Sequence, residues 1–340
     1  MHLELGLPDA GMKAKDSPDR RAYDLLSKGF GEGFNGKLTI VADAKGVKGN
    51  KSEAFQDAVN EMKDLHNVAS VTPAMPNEKG DYAIITAVPE TGPNDKATKE
   101  LVQDIRKRSD KNGIRLLVTG STAVNIDISD RLNDAIPEFA ILIVGFAFVL
   151  LTVVFRSLLV PLAAVVGFLL TMTATLGLSV FVLQDGNFTG LLSIPEKGPI
   201  LAFLPILAIG ILFGLAMDYQ VFLVSRMREE YVKTKNPVQA IHAGLKHSGP
   251  VVTAAGLIMI FVFAGFIFAG EATIKSMGLA MTFGVLFDAF IVRMTIIPSV
   301  MKLMGHAAWY LPKWLDKIIP NVDIEGHKLT QGKTPEKPEE

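Results

Sequence analysis

Residues 199–225 read PILAFLPILAIGILFGLAMDYQVFLVS, and the only charged side chain in this stretch is that of Asp218. An α-helix needs about 20 consecutive apolar residues to cross the hydrocarbon core of a bilayer. Because the stretch is longer than that, it predicts a membrane-spanning helix. It also predicts a carboxylate inside an apolar segment, where a charge is costly and usually has a function.

Four further stretches have similar length and apolar character, and most charged residues lie outside them. Apolar residues make up 49% of the chain and the mean hydropathy is +0.31, yet 20% of the residues are charged. This segregation is typical of a soluble domain joined to a membrane domain. The sequence therefore predicts an α-helical membrane bundle of five transmembrane helices, at about 139–155, 158–183, 199–225, 250–269 and 276–303.

The residues before the first span predict an α+β domain. Strand-like and helical patterns alternate in the order β-α-β-β-α-β, which is the split βαβ arrangement of ferredoxin-like domains. One helix follows a capping-box pattern at Asn50 and Glu53, and a second begins near Asn94. No catalytic constellation stands out in this region, so we interpret residues 1–136 as a binding or docking domain.

A helix is expected to carry the chain from this domain into the membrane. Val124, Ile128, Leu132 and Ile136 recur at intervals of four residues and form one apolar stripe on that helix, with a bend expected at Pro137. The chain therefore divides into an α+β domain at 1–136, transmembrane helices at 137–305 and a tail at 306–340. The Lys-, Glu- and Pro-rich end of the tail, 320–340, is expected to be disordered.

Composition excludes several classes of function. The chain has no cysteine, which excludes disulfides, thiol nucleophiles and Cys-based metal sites. Its six histidines show no H-x-x-x-H spacing, and its net charge of −1 argues against a nucleic-acid partner. We therefore predict that the protein is not an enzyme and has no catalytic residues, no metal and no organic cofactor.

The charges of the loops predict the orientation. The loop at 226–249 holds five basic residues, whereas the loops at 184–198 and 270–275 hold one each. By the positive-inside rule the basic loop is cytoplasmic, which places residues 1–136 outside a bacterial cell membrane and the C-terminus inside. Since no apolar leader precedes residues 1–136, we expect that a preceding transmembrane helix is missing from this chain.

The basic loop predicts a structure of its own. Asn236 and Pro237 favour the start of an amphipathic helix at the membrane surface, and a solvated loop is the alternative. His242 and His247 in this loop are interpreted as ordinary interfacial histidines. Three aromatic residues follow the last span at the depth expected of an aromatic belt: Trp309, Tyr310 and Trp314.

Asp218 is the leading candidate functional residue. An aspartate near the centre of a transmembrane helix costs roughly 2.5–3.5 kcal/mol and persists mainly where it pairs, titrates or lines a water path. Tyr219 can donate a hydrogen bond to a neighbouring helix, and Gly210 and Gly214 form a G-x-x-x-G pair that favours close helix packing. We interpret Asp218 and Tyr219 as a proton relay, and a solvated carboxylate near the cytoplasmic end of the helix is the alternative.

Two more charged residues, Asp288 and Arg293, lie in the last span. Their offset of five residues corresponds to about 140° on an α-helix, so they need not pair with each other. We expect Arg293 to extend to the cytoplasmic surface. Asp288 lies deeper, and a structural hydrogen bond is the preferred interpretation over proton carriage.

Three stretches of this sequence resemble a known family. Residues 214–231, GLAMDYQVFLVSRMREEY, closely resemble the signature of the MMPL transporters ("mycobacterial membrane protein large"), a branch of the resistance–nodulation–division superfamily. Residues 287–293, FDAFIVR, resemble the last helix of the family, and residues 119–123, TGSTA, resemble the end of its extracytoplasmic domain. The resemblance covers nearly the whole chain.

The resemblance implies an exporter of lipids or hydrophobic small molecules, driven by the proton-motive force. Intramembrane Asp-Tyr pairs of the family take up and release protons, and Asp218 with Tyr219 matches one such pair. A full member has two halves with twelve spans and two porter domains, so this chain resembles a C-terminal half. The implied partners are the lipid bilayer, a hydrophobic substrate and the missing N-terminal half or another half of the superfamily, with protons as the coupling ion.

Three interpretations remain open at this point. The chain is a working transporter half, a non-transporting scaffold or accessory subunit of an export machine, or an inactive truncated fragment. The sequence identifies no substrate.

Overall fold

The computed structural model describes residues 3–108, 113–188, 190 and 198–319. The tail predicted to be disordered, 320–340, lies outside the described residues. The chain forms two compact units. The first unit contains Met1–Ile136, Gly177–Ile206 and Phe266–Gly278, and the second contains Pro137–Leu176, Leu207–Gly265 and Leu279–Glu340.

The first unit is built on an antiparallel sheet covered by helices. From Pro18 to Thr119 its α-helices and strands in chain order are α1 Pro18–Phe30, β1 Leu38–Asp43, α2 Lys51–Lys63, β2 Val68–Val71, β3 Met75–Pro76, β4 Tyr82–Pro89, α3 Lys96–Lys107 and β5 Arg115–Thr119. The strands lie in the order β2-β4-β1-β5, with the short β3 paired to β4. The element order is the β-α-β-β-α-β series that the sequence predicts, with β3 added.

Alternation of side chains along β1 explains the core of this unit. Leu38, Ile40 and Ala42 are fully buried and face the helices, while the residues between them are half-buried. The predicted apolar face of α2 packs against them, with Phe55 and Val59 only 3% and 1% exposed. These helices are therefore fixed by their apolar faces, as their 3.6-residue period predicts.

The helix that leaves this domain differs from the prediction. It is α4, Ser121–Phe155, which runs through Pro137 as one helix. Val124 and Ile128 of the predicted stripe are 46% and 42% exposed, whereas Ala123 and Ile126 are buried in the core. The face of α4 that packs on the domain is thus a different one from the apolar stripe.

Within the described residues, five helical segments are long and apolar enough to cross a membrane. In chain order they are α4, α5 Leu159–Ser179 continued by a π-helical turn Val180–Gln184, α6 Leu204–Thr234, α7 Pro237–Ile267, and α8 Ala272–Leu286 continued by a π-helix Phe287–Ile296 and α9 Ile297–Met304. The prediction of five such helices is confirmed.

The predicted interfacial helix does not exist as a separate element. α6 extends to Thr234 and α7 begins at Pro237, so only Lys235 and Asn236 connect them. Asn236 caps α7 by accepting a hydrogen bond from the Val238 N–H at 3.1 Å, which confirms the predicted helix start. The amphipathic segment forms the first turns of α7.

The end of the chain folds back as a short 3₁₀-helix Gly305–Trp309 and α10 Lys313–Ile318. Trp309 is only 7% exposed and stacks on Tyr231 with 5.1 Å between ring centroids, so it packs inside the second unit. The aromatic belt stays a prediction. Tyr310 and Trp314 remain exposed.

Close helix packing among the described residues occurs at a glycine other than Gly210 and Gly214. No other helix of the described structure lies within 4 Å of the position that a Cβ on Gly210 or Gly214 would take, so their role in helix packing stays a prediction. A Cβ on Gly284 would instead lie 2.5 Å from a methyl group of Leu212 and 3.1 Å from the Thr175 hydroxyl. Gly284 therefore permits the approach of α8 to its neighbours.

Replacing Gly284 by leucine should destabilise the second unit. The added side chain must displace Leu212, and overpacking of this kind costs about 1–3 kcal/mol. SDS titration of the purified chain in mixed micelles measures this loss. Gly145→Leu is the matched control, because nothing lies within 4 Å of the Cβ position in α4. Equal stability of both variants would contradict the assignment of Gly284 as a packing glycine.

Candidate functional site

A buried ion pair lies inside the second unit. The Arg293 Nε atom is 3.3 Å from both carboxylate oxygens of Asp288, and the two residues are 0% and 2% exposed. Two ions in an apolar interior are stable only when they are paired and hydrogen-bonded. The prediction that Arg293 extends to the surface is therefore wrong.

The π-helix explains why these two residues meet. Residues five apart diverge by about 140° on an α-helix, but a π-helix closes its hydrogen bonds between residues i and i+5. The Ile297 N–H accordingly bonds to the Val292 carbonyl at the end of this segment. The local widening of the helix brings Asp288 and Arg293 to one face.

Two residues that sequence reasoning missed complete the cluster. Arg293 Nη1 donates to the side-chain oxygen of Gln220, and the Thr171 hydroxyl lies 3.2 Å from Asp288 Oδ1. We name Thr171, Gln220, Asp288 and Arg293 the buried polar cluster. A signal for Gln220 was present in the sequence, because an amide inside an apolar span needs a partner.

Some hydrogen-bonding capacity of this cluster is unused. Gln220 Nε2 and Arg293 Nη2 are buried donors without a partner among the described residues. An unpaired buried donor is costly and indicates a place for a water molecule or an acceptor group. The cluster thus has donors left for one more acceptor.

Asp218 lies on a different face of α6 from Gln220. Residues two positions apart on an α-helix are rotated by about 200° around the helix axis. Because Gln220 lies on the core face, Asp218 lies on the opposite side of α6. Asp218 is exposed and has no hydrogen bond or ion pair to another described residue. It lines a groove of about 340 Å³ with eight other residues: Leu215, Tyr219, Phe222, Val251, Val252, Ala255, Ile258 and Met259.

Tyr219 points inward between these two places. Its side chain is 7% exposed and packs with Val252 and Ala289, the residue next to Asp288. Its hydroxyl is buried and has no partner among the described residues, so the hydrogen bond expected to a neighbouring helix is not formed. The structure thus separates the predicted set: Asp288 and Arg293 pair inside, Asp218 lies outside, and Tyr219 lies between them.

The described residues contain no group of three or more His, Asp or Glu side chains that could hold a metal ion. His242 and His247 are exposed on α7. The arrangement is that of a polytopic membrane protein with an internal ion pair and one isolated carboxylate.

Comparison with known proteins identifies the class. The model of the MMPL family matches residues 11–318, and the chain belongs to this family. Over 336 residues it is 82% identical to "Membrane protein YdfJ" of Bacillus subtilis (strain 168), with 99% of this chain and 46% of that protein covered. It is also 31% identical over 314 residues to "Mycolic acid-containing lipids exporter MmpL11" of Mycolicibacterium smegmatis (strain ATCC 700084 / mc(2)155), with 90% of this chain and 33% of that protein covered.

The chain therefore spans half or less of the length of these relatives. Among solved structures, the chain matches a crystal structure of SecDF in its super-membrane-facing form with a TM-score of 0.38 and 14% identity. The match covers 89% of this chain and 39% of the SecDF chain. That likeness is too weak to support an argument.

Removing one member of the buried ion pair should destabilise the second unit strongly. Asp288→Ala leaves the Arg293 charge uncompensated, and loss of one partner of a buried pair costs about 3–5 kcal/mol. The combined variant Asp288→Leu, Arg293→Met removes both charges and should regain most of that loss. SDS titration measures both variants, and a single variant as stable as the wild type would show that the pair is not what holds these helices.

Proposed function

We propose that this chain is half of a membrane exporter of lipids or hydrophobic small molecules, driven by the proton-motive force. Membership of the MMPL family and the lipid-exporting relative named above support the substrate class. The observation that carries the proposal is the position of Asp218, a carboxylate in an apolar groove on an uncovered face of α6.

Asp218 is suited to couple protons to helix packing. When it is ionised, covering it with another apolar helix costs roughly 2.5–3.5 kcal/mol. When it is protonated, the same contact loses most of that cost, since a neutral carboxyl is easier to bury. Uptake and release of a proton thus change how well a neighbouring helix fits this face.

Tyr219 extends this relay toward the interior. Its unpartnered hydroxyl lies in the packing that joins α6 to the π-helix segment. In our proposal it donates to or accepts from the carboxyl of Asp218 in one state and turns to the buried polar cluster in the other. Asp288 and Arg293 act there as a fixed pair that positions the helices.

The uncovered face of α6 fits a second transporter half. Gly210, Gly214 and Asp218 recur at intervals of four residues, and all three are exposed in this chain. Small residues at this spacing allow the backbone of a partner helix to approach closely. We infer that the other half packs here and supplies the contact that Gly210 and Gly214 lack.

The domain at 1–136 is the proposed extracytoplasmic porter domain of ferredoxin-like type, with the C-terminus in the cytoplasm. The basic residues at the end of α6, at Lys235 and in the first turns of α7 support this orientation, because the cytoplasmic ends and loops of membrane helices are enriched in Lys and Arg. Repacking of the transmembrane helices would move this domain and change its access to cargo, in the way that a local charge change drives a larger switch.

Neutralising Asp218 should abolish energy coupling. In proteoliposomes that hold the chain together with its complementary half, we expect Asp218→Asn to lower the efflux of a lipophilic dye driven by an imposed pH gradient at least tenfold. Asp134→Asn, a change at an exposed acid of α4, should leave efflux unaltered. Undiminished efflux by the Asp218→Asn variant would refute the relay. If the wild-type protein gives no efflux but binds stably to a translocase, the result would favour an accessory subunit.

The partner face can be mapped directly, because the chain has no cysteine of its own. A benzophenone attached to the Gly214→Cys variant should give protein adducts on irradiation in native membranes. The same probe on Gly145→Cys, at an exposed position of α4, should give mainly lipid adducts. Equal protein crosslinking at both positions would argue against a partner helix at α6.

A further inference from the structure

A strap of chain crosses one end of the second unit. We use the name strap for residues 305–319, which contain the last 3₁₀-helix and α10. The Ser157 hydroxyl donates to the Ala308 carbonyl at 2.6 Å and ties the strap to the turn between α4 and α5. Trp309 of the strap stacks on Tyr231 of α6. The strap therefore lies where the α4–α5 turn and the C-terminal end of α6 meet.

Arg156 in the α4–α5 turn holds the end of the strap. Its guanidinium donates to the Asp316 carboxylate at 2.6 Å and to the Asp316 and Ile319 carbonyls at 3.1 and 3.5 Å. Carbonyls at the C-terminus of a helix have no partner within the helix, so Arg156 supplies one for α10. Arg156 and Asp316 also compensate each other's charge, which leaves this acid engaged.

Arg228 is a cation without an acceptor at the same place. Its guanidinium carbon lies 5.6 Å from the centroid of the Trp309 ring. The side chain is half-buried with accessible nitrogen atoms, and it makes no hydrogen bond or ion pair to a described residue. Arg156 is close enough to repel it, and Asp316, which attracts it, is already bound to Arg156. A guanidinium over an aromatic ring keeps its N–H groups free for an acceptor with several oxygen atoms.

The helix α10 adds two more cations and an apolar edge. Lys313 and Lys317 are four residues apart and exposed, and neither has an ion pair in the described part of the chain. Trp314 and Ile318, also four apart, are largely exposed on the neighbouring edge. A helix with a basic edge beside an apolar one is typical of the boundary between headgroups and acyl chains. Together with Arg228, three cations here lack an acidic partner among the described residues.

We propose that Arg228 and the strap bind the phosphate of an anionic phospholipid such as phosphatidylglycerol. The guanidinium of Arg228 matches two phosphate oxygens, and the two lysines of α10 neutralise the remaining charge. Trp314 and Ile318 then lie beside the acyl chains. A zwitterionic lipid is disfavoured because its headgroup brings an ammonium group of its own, which these cations repel.

The same phosphate chemistry is present in inorganic phosphate, but the exposed apolar edge of α10 favours a lipid. The bound lipid would join the strap to α6, because its phosphate contacts both Arg228 and the lysines of α10. No step of the proposed export uses this site. Only its assignment to the cytoplasmic leaflet rests on the proposed orientation.

The two tryptophans of the chain report on this site, because Trp309 and Trp314 both lie in the strap. Lipids with brominated acyl chains quench tryptophan fluorescence on contact. The test uses the full chain in phosphatidylcholine bilayers, into which brominated phosphatidylglycerol or brominated phosphatidylcholine is introduced at equal mole fractions. We expect the relative binding constant of phosphatidylglycerol to be about tenfold higher, since several basic residues attract its headgroup.

Two variants and a matched control locate the binding. Arg228→Gln should lower the preference for phosphatidylglycerol by about fivefold. Lys313→Gln combined with Lys317→Gln should lower it similarly, and these exposed positions leave folding intact. Arg226→Gln is the control, because Arg226 lies on the same helix but is paired with Glu229 at 2.9 Å, so the preference should persist.

Equal quenching of the wild-type chain by both brominated lipids would refute the site. It would leave these cations to another acidic occupant, such as the glutamate-containing stretch at 320–340. A preference retained in both Arg228→Gln and the lysine variant, or lost equally in Arg226→Gln, would overturn the assignment of the residues. Loss of the preference in millimolar inorganic phosphate would assign the site to free phosphate and contradict the lipid. The readout needs no complementary half and no pH gradient, so it is separate from a failure of the proposed function.

Discussion

The cost of an ionised group among apolar helices is the constraint on which the second unit depends. The charge of Arg293 is compensated by the carboxylate of Asp288, and its guanidinium also donates to the amide oxygen of Gln220. All three side chains are buried. This pairing ties the π-helix segment to α6. The helix bundle is thus organised around a polar contact as well as around its apolar packing.

At Asp218 the charge of an ionised group is not compensated by any described residue. It has no partner among the described residues and faces an apolar groove. On α6, Gln220 therefore faces the interior and is hydrogen-bonded, whereas Asp218 on the outer side has no partner among the described residues. Tyr219 is buried between them. In the proposed function, a proton removes that charge and a second transporter half covers that face.

The first unit depends instead on apolar packing and on ion pairs between its helices. Its sheet and helices enclose an apolar core, and the pairs Arg106–Asp127 and Lys99–Asp130 brace α3 against α4.

The sequence by itself determined the five apolar spans, the β-α-β-β-α-β order, the helix starts at Asn50 and Asn236, and the family. These features depend on local periodicity, capping and composition, which are written along the chain. Only the tertiary structure decided which residues meet. The π-helix turned a predicted separation of Asp288 and Arg293 into a contact, and the core face of α4 proved to be Ala123 and Ile126 rather than the apolar stripe. Likewise, the close approach seen among the described helices is at Gly284, because helix contact depends on which face a neighbour covers, and no local pattern encodes that choice.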